Sequence, residues 1–281
     1  MNRRKWNHLK RALWDSKLGM TSLFLLILLT LGAIFAFLSP YDPNLMDATS
    51  QFATPGPAHW FGTDDYGRDY FARALYGGRV SLLVGFASMI LATAIGVAVG
   101  VISGYFGGWI DSLLMRALDV ISSIPSFLVL LLLSVFLKPS VGNIIVIIAL
   151  LMWMNVARIV RAETMSIRQR EYVLYARVSG QGAGGMIRHH ILPGLVPVII
   201  VGATNNIASA IMMESSLSFL GFGVQPPNAT WGSMLNSAQG YIAQAPYLAL
   251  FPGLLILLTV LSFNVLGDIL RVGLEPKLNR R

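Results

Sequence analysis

The sequence predicts an all-α, polytopic membrane protein with six transmembrane helices and both termini in the cytoplasm. Of its 281 residues, 55% are hydrophobic and only 12% are charged, whereas a soluble domain carries about 25% charged residues. Uncharged apolar runs recur at about the 20 residues that a helix needs to cross the hydrocarbon core. Basic residues gather at the ends of alternate runs, which is typical of cytoplasmic loops. Together these observations disfavour a soluble enzyme.

The positions of these runs divide the chain into five segments. They are a cytoplasmic N-terminal segment (1–18), a first transmembrane helix (19–39), an extracytoplasmic loop with an interfacial helix (40–79), a core with five further transmembrane helices and a cytoplasmic hairpin at 158–193 (80–268), and a cytoplasmic tail (269–281). The runs themselves are Met20–Leu38, Val80–Ser103, Leu118–Leu137, Val141–Ala157, Leu195–Met213 and Tyr247–Gly267. Pro125 predicts a kink in the third run, and Ser215–Val224 predicts a broken or re-entrant stretch after the fifth.

Charge sets the predicted orientation. Six crossings place 17 of the 21 basic residues on one side of the membrane, and by the positive-inside rule that side is the cytoplasm. The net charge of +8 therefore indicates topology and contact with anionic membrane lipid, not a nucleic-acid surface. The first run is longer than a signal peptide and no A-x-A site follows it, so we expect an uncleaved anchor.

The long loop contains the block Phe61-Gly-Thr-Asp-Asp-Tyr-Gly-Arg-Asp69, after which apolar residues at helical spacing predict the interfacial helix. Thr63 or Asp64 is its predicted N-cap. The carboxylates of Asp64, Asp65 and Asp69 are of the type that ligates a hard cation. Caps and Arg–Asp pairs that hold the loop together are the favoured interpretation.

Small residues recur at every fourth position of the second run. They are Ala92, Gly96, Gly100, Gly104 and Gly108. This spacing predicts a helix face on which another backbone packs closely. A substrate groove lined by bare backbone is the alternative.

Four further residues are candidates for the pathway or a gate. Arg116 and Asp119 are three residues apart and can pair on one helix face, either as an interfacial pair or as a gate. Asn205 and Glu214 lie in the apolar stretch 191–224, where Glu214 is the only charged residue. An ionisable residue in a membrane segment is a functional hypothesis by default. A hydrogen bond to Ser215, Ser216 or Asn205 would instead make Glu214 structural, and both interpretations stay open.

The segment Arg158–Pro193 is far more polar than any other stretch and is expected to protrude into the cytoplasm. Glu163–Ser179 predicts a helix, Gly180–Gly185 a break, and Met186–Leu192 a second helix that Pro193 ends. Apolar side chains on an exposed helical hairpin are typical of a docking element. The neighbouring His189 and His190 point about 100° apart on a helix, so they cannot hold one metal ion together.

Missing motifs narrow the function further. The chain has no cysteine, no Gly-Lys dipeptide, no H-E-x-x-H and no G-x-S-x-G, which excludes thiolate chemistry, a Walker A loop and two common hydrolase sites. We therefore expect no metal, no cofactor and no enzymatic activity on this chain. Energy for uphill transport would come from another chain. The alternative is a self-contained secondary transporter or channel, and an intramembrane enzyme is a third hypothesis without a recognisable catalytic set.

At the hairpin the sequence resembles the permease subunits of ABC importers, whose signature is E-A-A, three residues, Gly, nine residues and I-x-L-P. Here Leu174-Tyr175-Ala176 stand at E-A-A, and Gly180 and His190-Ile191-Leu192-Pro193 follow at the signature spacing. The replaced positions resemble the dipeptide/oligopeptide/nickel branch, and most closely the second of its two permease subunits. Further blocks resemble this branch: Phe61–Asp69, Gly104–Asp111, Met115–Asp119 with Pro125, Leu217–Pro227 with Trp231 and Gly232, and Phe263–Asp268 through Pro276 and Lys277.

The resemblance implies the fold of a type I ABC importer permease in the bacterial inner (cytoplasmic) membrane. It implies a homologous second permease subunit, two cytoplasmic ABC ATPase subunits that hydrolyse ATP, and an extracytoplasmic substrate-binding protein. It also implies that the hairpin couples the permease to an ATPase through Glu171, Tyr172, Tyr175, Ala176, Arg177, Gly180, Ala183, His190 and Pro193. Peptides or related small solutes are the expected substrates, and dipeptides, oligopeptides, nickel or metallophore complexes and glutathione-like molecules are all compatible.

Overall fold

The computed structural model describes residues 3–274, and all regular structure in this range is helical. The end of the expected cytoplasmic tail, including Pro276 and Lys277, lies outside the described residues. The helices are α1 (Arg3–Asp15), α2 (Lys17–Ile34), α3 (Tyr70–Phe106), α4 (Gly108–Ser122), α5 (Ser126–Phe136), α6 (Val141–Arg168), α7 (Glu171–Val178), α8 (Ala183–Phe219), α9 (Trp231–Ala238) and α10 (Tyr247–Leu274). Short 3₁₀ turns lie at Ala36–Leu38, Ala48–Ser50 and Gln239–Tyr241.

Five of the described helices, α2, α3, α6, α8 and α10, are long and apolar enough to span a membrane. The apolar pair α4 and α5 is bent by 77° at its break, and the count of spans rises to six if the pair crosses as one broken span. The predicted class, an all-α polytopic membrane protein, is therefore confirmed. The predicted kink is also confirmed, because Pro125 is the N-cap residue of α5 at this break.

The predicted interfacial helix and second span form one helix, α3, of 37 residues. Its N-cap is Asp69, whose carboxylate accepts a hydrogen bond from the Ala72 N–H at 2.7 Å, and not Thr63 or Asp64 as the sequence suggested. Those two side chains are used inside the loop before the helix. The Thr63 hydroxyl accepts from the Ala53 N–H at 2.8 Å, and Asp64 accepts from the N–H groups of Tyr66 and Arg68.

Pro193 does not end a helix, as the sequence suggested, but lies inside α8. Residues Ile187–Ile191 form a π-helical turn, in which the Leu192 N–H donates to the carbonyl of Ile187, five residues back. This wider turn carries the helix past Pro193, which has no N–H to donate. The helix continues to Phe219, so the irregular stretch begins at Leu220 and not at Ser215.

Three glycines bring α3 against α6 along the predicted small-residue face. A Cβ atom added at Gly96, Gly100 or Gly104 would lie 2.6–2.8 Å from a backbone carbonyl oxygen of α6. The stripe is therefore a packing face, and α6 covers the backbone that the alternative assigned to a substrate groove. Gly108 does not belong to it, because α3 ends at Phe106 and Gly108 has φ +55° at the start of α4.

Candidate coupling hairpin and pathway residues

Helix α7 packs between α6 and α8 through one fully buried side chain, with the partly buried Ala176 beside it. Val173 is fully buried and belongs to a cluster with Ile167 of α6 and with Met186, Ile191 and Leu195 of α8. All four partners are less than 1% exposed. This eight-residue helix is therefore packed against both of the long helices beside it.

A glycine C-cap fixes the end of α7. The Gln181 N–H donates to the Ala176 carbonyl at 3.2 Å and the Gly180 N–H donates to the Arg177 carbonyl at 3.0 Å, which is the Schellman arrangement. Gly180 has φ +82° and nothing within 4 Å of an added Cβ. Position 180 therefore requires glycine because of its backbone conformation, and not because a side chain there would lack space.

The free side of α7 presents apolar surface. Tyr175 is 78% exposed and Val178 is 87% exposed, while Tyr172 and Leu174 are about half exposed. Glu171 lies in the first turn and Arg177 in the last, where their charges complement the helix dipole.

The remaining predicted hairpin residues serve the return of the chain into α8. Ala183 begins α8, and the His190 ring nitrogen lies 2.8 Å from the Gln181 side-chain oxygen. Its ring also lies beside Tyr172, with centroids 6.2 Å apart. The His189 ring bonds elsewhere, to the Gly185 carbonyl at 3.0 Å. No group of His, Cys, Asp and Glu side chains suited to a metal ion occurs among residues 3–274.

Asp119 does not pair with Arg116. Its carboxylate accepts from Arg158 of α6 at 3.0 Å, and Arg158 also bonds Ser122. Arg116 makes no ion pair within the described part of the chain. The reason is geometric, since Leu118 of α4 packs against Met154 and Ala157 of α6, which brings the Arg158 guanidinium to the carboxylate.

Glu214 is fully buried in a hydroxyl network that joins three helices. Ser218 donates to its Oε1 at 2.7 Å and Ser81 of α3 donates to its Oε2 at 3.2 Å. The Ser81 oxygen also accepts from the Trp231 N–H of α9. These contacts favour the structural interpretation of Glu214, because they link α3, α8 and α9 around it.

Asn205 lies on α8 apart from Glu214 and is exposed. Its side-chain oxygen closely approaches Gly267 of α10, where an added Cβ would clash with it. The structure therefore does not gather Arg116, Asp119, Asn205 and Glu214 into one site.

The loop between α2 and α3 (residues 35–69, the α2–α3 loop) is closed by its own polar groups. Asp64 bonds the guanidinium of Arg68 at 2.7 Å and faces Arg73 at 3.6 Å, and Asp69 bonds His59 at 2.8 Å. The favoured interpretation of the acidic cluster, caps and ion pairs, is thus the arrangement observed. Burial and the neighbouring Asp64 raise the pKa of Asp65, while hydrogen bonds from Thr49 and Ser50 lower the pKa of Asp47.

Comparison with known proteins assigns the family. A family described as the binding-protein-dependent transport system inner membrane component matches residues 96–280, and the N-terminal TM domain of oligopeptide transport permease C matches residues 5–55. The chain belongs to this family of ABC importer permeases. It is therefore a multi-pass protein of the bacterial inner membrane and a non-catalytic subunit, since the ATPase activity of these importers lies on separate subunits.

Relatives cover nearly the whole permease. It is 42% identical to a dipeptide transport system permease protein of Bacillus subtilis (strain 168), over 98% of this chain and 85% of the relative. It is 40% identical to a glutathione transport system permease protein of Escherichia coli O6:K15:H31 (strain 536 / UPEC), over 98% of this chain and 92% of the relative. The resemblance seen in the sequence is confirmed.

One ion pair of this permease was not predicted from the sequence. Asp111 of α4 binds Arg161 of α6, with the second guanidinium nitrogen 2.6 Å from the carboxylate, and also bonds Ser103. Asp111 and Arg161 lie where the glycine face of α3 ends. The charge of Asp111 was visible in the sequence, but its partner lies 50 residues away and is brought to it only by the tertiary fold.

Proposed function

We propose that this permease forms half of a translocation pathway for short peptides or glutathione-like solutes, and that α7 seats on a separate ATPase subunit. A homologous second permease subunit supplies the other half, and a substrate-binding protein delivers the solute. Relatives named for dipeptide and glutathione transport support this substrate class. Family membership also argues against a self-contained secondary transporter or channel and against an intramembrane enzyme.

The observation that carries the coupling role is the two-sided character of α7. One side chain, Val173, is fixed in the core shared with α6 and α8, while Tyr175 and Val178 project from the same short helix. An exposed apolar pair on a rigid, capped helix fits a partner groove. A rigid-body shift of the partner would then move two spans together.

The proposed topology places α7 and both termini in the cytoplasm and the α2–α3 loop outside. The distribution of basic residues in the sequence supports it, because six crossings would put 17 of the 21 on the α7 side.

Single-cysteine labelling tests the proposal, because the chain contains no native cysteine. Val178→Cys in the purified importer should react with a bifunctional cross-linker to give an adduct with an ATPase subunit. Leu45→Cys, 68% exposed in the α2–α3 loop, is the matched control and should give none. On intact spheroplasts a membrane-impermeant maleimide should label only Leu45→Cys.

The outcomes separate the two parts of the proposal. Equal cross-linking from both cysteines, or none from Val178→Cys, would overturn the coupling role of α7. Impermeant labelling of Val178→Cys from outside would overturn the topology. Uptake competition among dipeptides, longer peptides and glutathione then tests the substrate class, and absence of competition by all three would contradict it.

A further inference from the structure

An apolar cavity of about 350 Å³ lies where α2, α3 and α10 meet. Its mouth includes Leu28, which is 54% exposed, and its floor includes Ala33 and Ala74, which are nearly fully buried. Trp231 closes one wall, and its indole N–H is already satisfied by the Ala74 carbonyl at 2.9 Å. The lining side chains therefore present mainly hydrocarbon and aromatic surface, and the Trp231 indole N–H among them already has its partner.

Two glycines keep the cavity open. Gly32 of α2 and Gly78 of α3 both line it. A Cβ at Gly32 would lie 3.2 Å from Leu75, and one at Gly78 would lie 2.8 Å from the Trp231 ring. Larger side chains at these positions would fill the seam between α2 and α3.

An exposed cation stands at the same seam. Arg79 follows Gly78 on α3, and its guanidinium donates to the carbonyl of Ile34 at the end of α2, at 3.1 Å. Helical side chains lean towards the N-terminus of their helix, so the guanidinium is carried towards the α2–α3 loop and past the Tyr76 ring, 6.0 Å from its centroid. Within residues 3–274 no carboxylate pairs with it.

The geometry points to a binding site for one glycerophospholipid, with an acyl chain in the cavity and the phosphate on Arg79. In a membrane, an apolar cleft open at Leu28 faces lipid chains, and a void there would forfeit dispersion contacts. A guanidinium with free donors at the level of the headgroups is the natural partner of a phosphodiester. This inference rests on the topology proposed above, which places the site in the outer leaflet.

The occupant is a lipid and not a second protein helix, because the apolar cavity and the Arg79 guanidinium lie at the same seam between α2 and α3. A helix would cover Leu28 and the seam but would bring no phosphate to Arg79. A phospholipid satisfies both halves of the site with one molecule.

Native mass spectrometry of the purified importer after incubation with phosphatidylglycerol tests the site. Arg79→Gln should lower retention of one tightly bound phosphatidylglycerol about fivefold, whereas Lys138→Gln, an exposed cation beyond α5, should leave it unchanged. Gly32→Leu should exclude the chain, whereas Gly142→Leu, with open space around it, should not. Because Arg79 is exposed, its variant should fold normally even if Gly32→Leu does not.

Several outcomes of these measurements would overturn the lipid site. Equal retention by Arg79→Gln and the unaltered importer, an equal loss in Lys138→Gln, or equal retention of phosphate-free diacylglycerol overturns the site. A second permease helix cross-linked to Leu28→Cys in place of lipid also overturns it. Failure of the topology is recognised separately by the maleimide labelling of Leu45→Cys.

Discussion

Helix α7 and the α2–α3 loop, at opposite ends of the permease, use their side chains in opposite ways. In the loop and the first turn of α3, Asp64, Asp69 and Arg73 are each at most 8% exposed and bond neighbouring side chains or the backbone. In α7, Tyr175 is 78% exposed and Val178 is 87% exposed. Val173 is the one fully buried side chain of this helix. The loop is built to hold its shape, whereas α7 leaves apolar surface for another chain. Stability should therefore depend on the loop, and coupling on α7.

The largest effect on stability is expected in the loop, from Asp64→Ala. This change removes the carboxylate at 2.7 Å from Arg68 and 3.6 Å from Arg73, leaves Arg68 only the more distant Asp65 at 3.9 Å, and frees two backbone N–H groups. Removing one partner of a buried pair costs about 3–5 kcal/mol. Unfolding in detergent should show this loss, while Asp42→Ala, an exposed residue with one backbone bond, should change little. Similar losses from both variants would contradict the description of the loop.

The next effect is expected at the end of α7, from Gly180→Pro. Proline fixes φ near about −65°, whereas Gly180 needs φ +82°, so the C-cap of α7 must rearrange. Solute uptake should fall at least about tenfold while membrane insertion is retained. Gly184→Ala, where an added Cβ meets nothing within 4 Å, is the control, and full uptake by Gly180→Pro would show that the cap has no part in coupling.

A smaller effect of opposite sign is expected from Asp65→Asn. Burial and Asp64 raise the pKa of Asp65, so its ionised form opposes folding above that pKa and this cost disappears as pH falls through it. At pH 7 the variant should be more stable, by less than about 1 kcal/mol, and the gain should vanish on acidification. Asp47 has a lowered pKa, so its contribution should persist above its ordinary pKa and be lost only in stronger acid.

The smallest effect is expected from Asp119→Asn. Its side chain is 70% exposed although it pairs with Arg158, and exposed pairs contribute only about 0–1 kcal/mol. Thermal unfolding should barely change. A loss as large as that of Asp64→Ala would mean that this pair is enclosed by a neighbouring subunit in the assembled importer.

Local patterns allowed the fold class, the Pro125 break and the α3–α6 packing face to be predicted. Apolar run lengths identify spans, and glycines four residues apart mark a close helix contact whatever helix fills it. The polarity of the hairpin and the break at Gly180 were equally local, but the predicted helix Glu163–Ser179 was wrong, because α6 runs to Arg168 and α7 begins separately at Glu171.

Side-chain partners and caps that depend on the tertiary fold could not be predicted in the same way. Thr63 and Asp69 are both good caps, and only the folded loop uses the Thr63 hydroxyl elsewhere. Asp119 pairs with Arg158 because α4 packs locally on α6, and Pro193 is accommodated by a π turn. Ser81 reaches Glu214 across 133 residues, a separation that residue spacing does not encode.

The contrast between the two ends is tested most directly by Tyr175→Ala in the assembled importer. Tyr175 is 78% exposed, so its removal should leave the unfolding midpoint unchanged while uptake and solute-stimulated ATP hydrolysis fall at least about tenfold. Trp14→Ala, an exposed aromatic residue on α1 (71%), is the control and should retain both activities. Unchanged uptake and ATP hydrolysis in Tyr175→Ala would contradict the assignment of α7 as the coupling element.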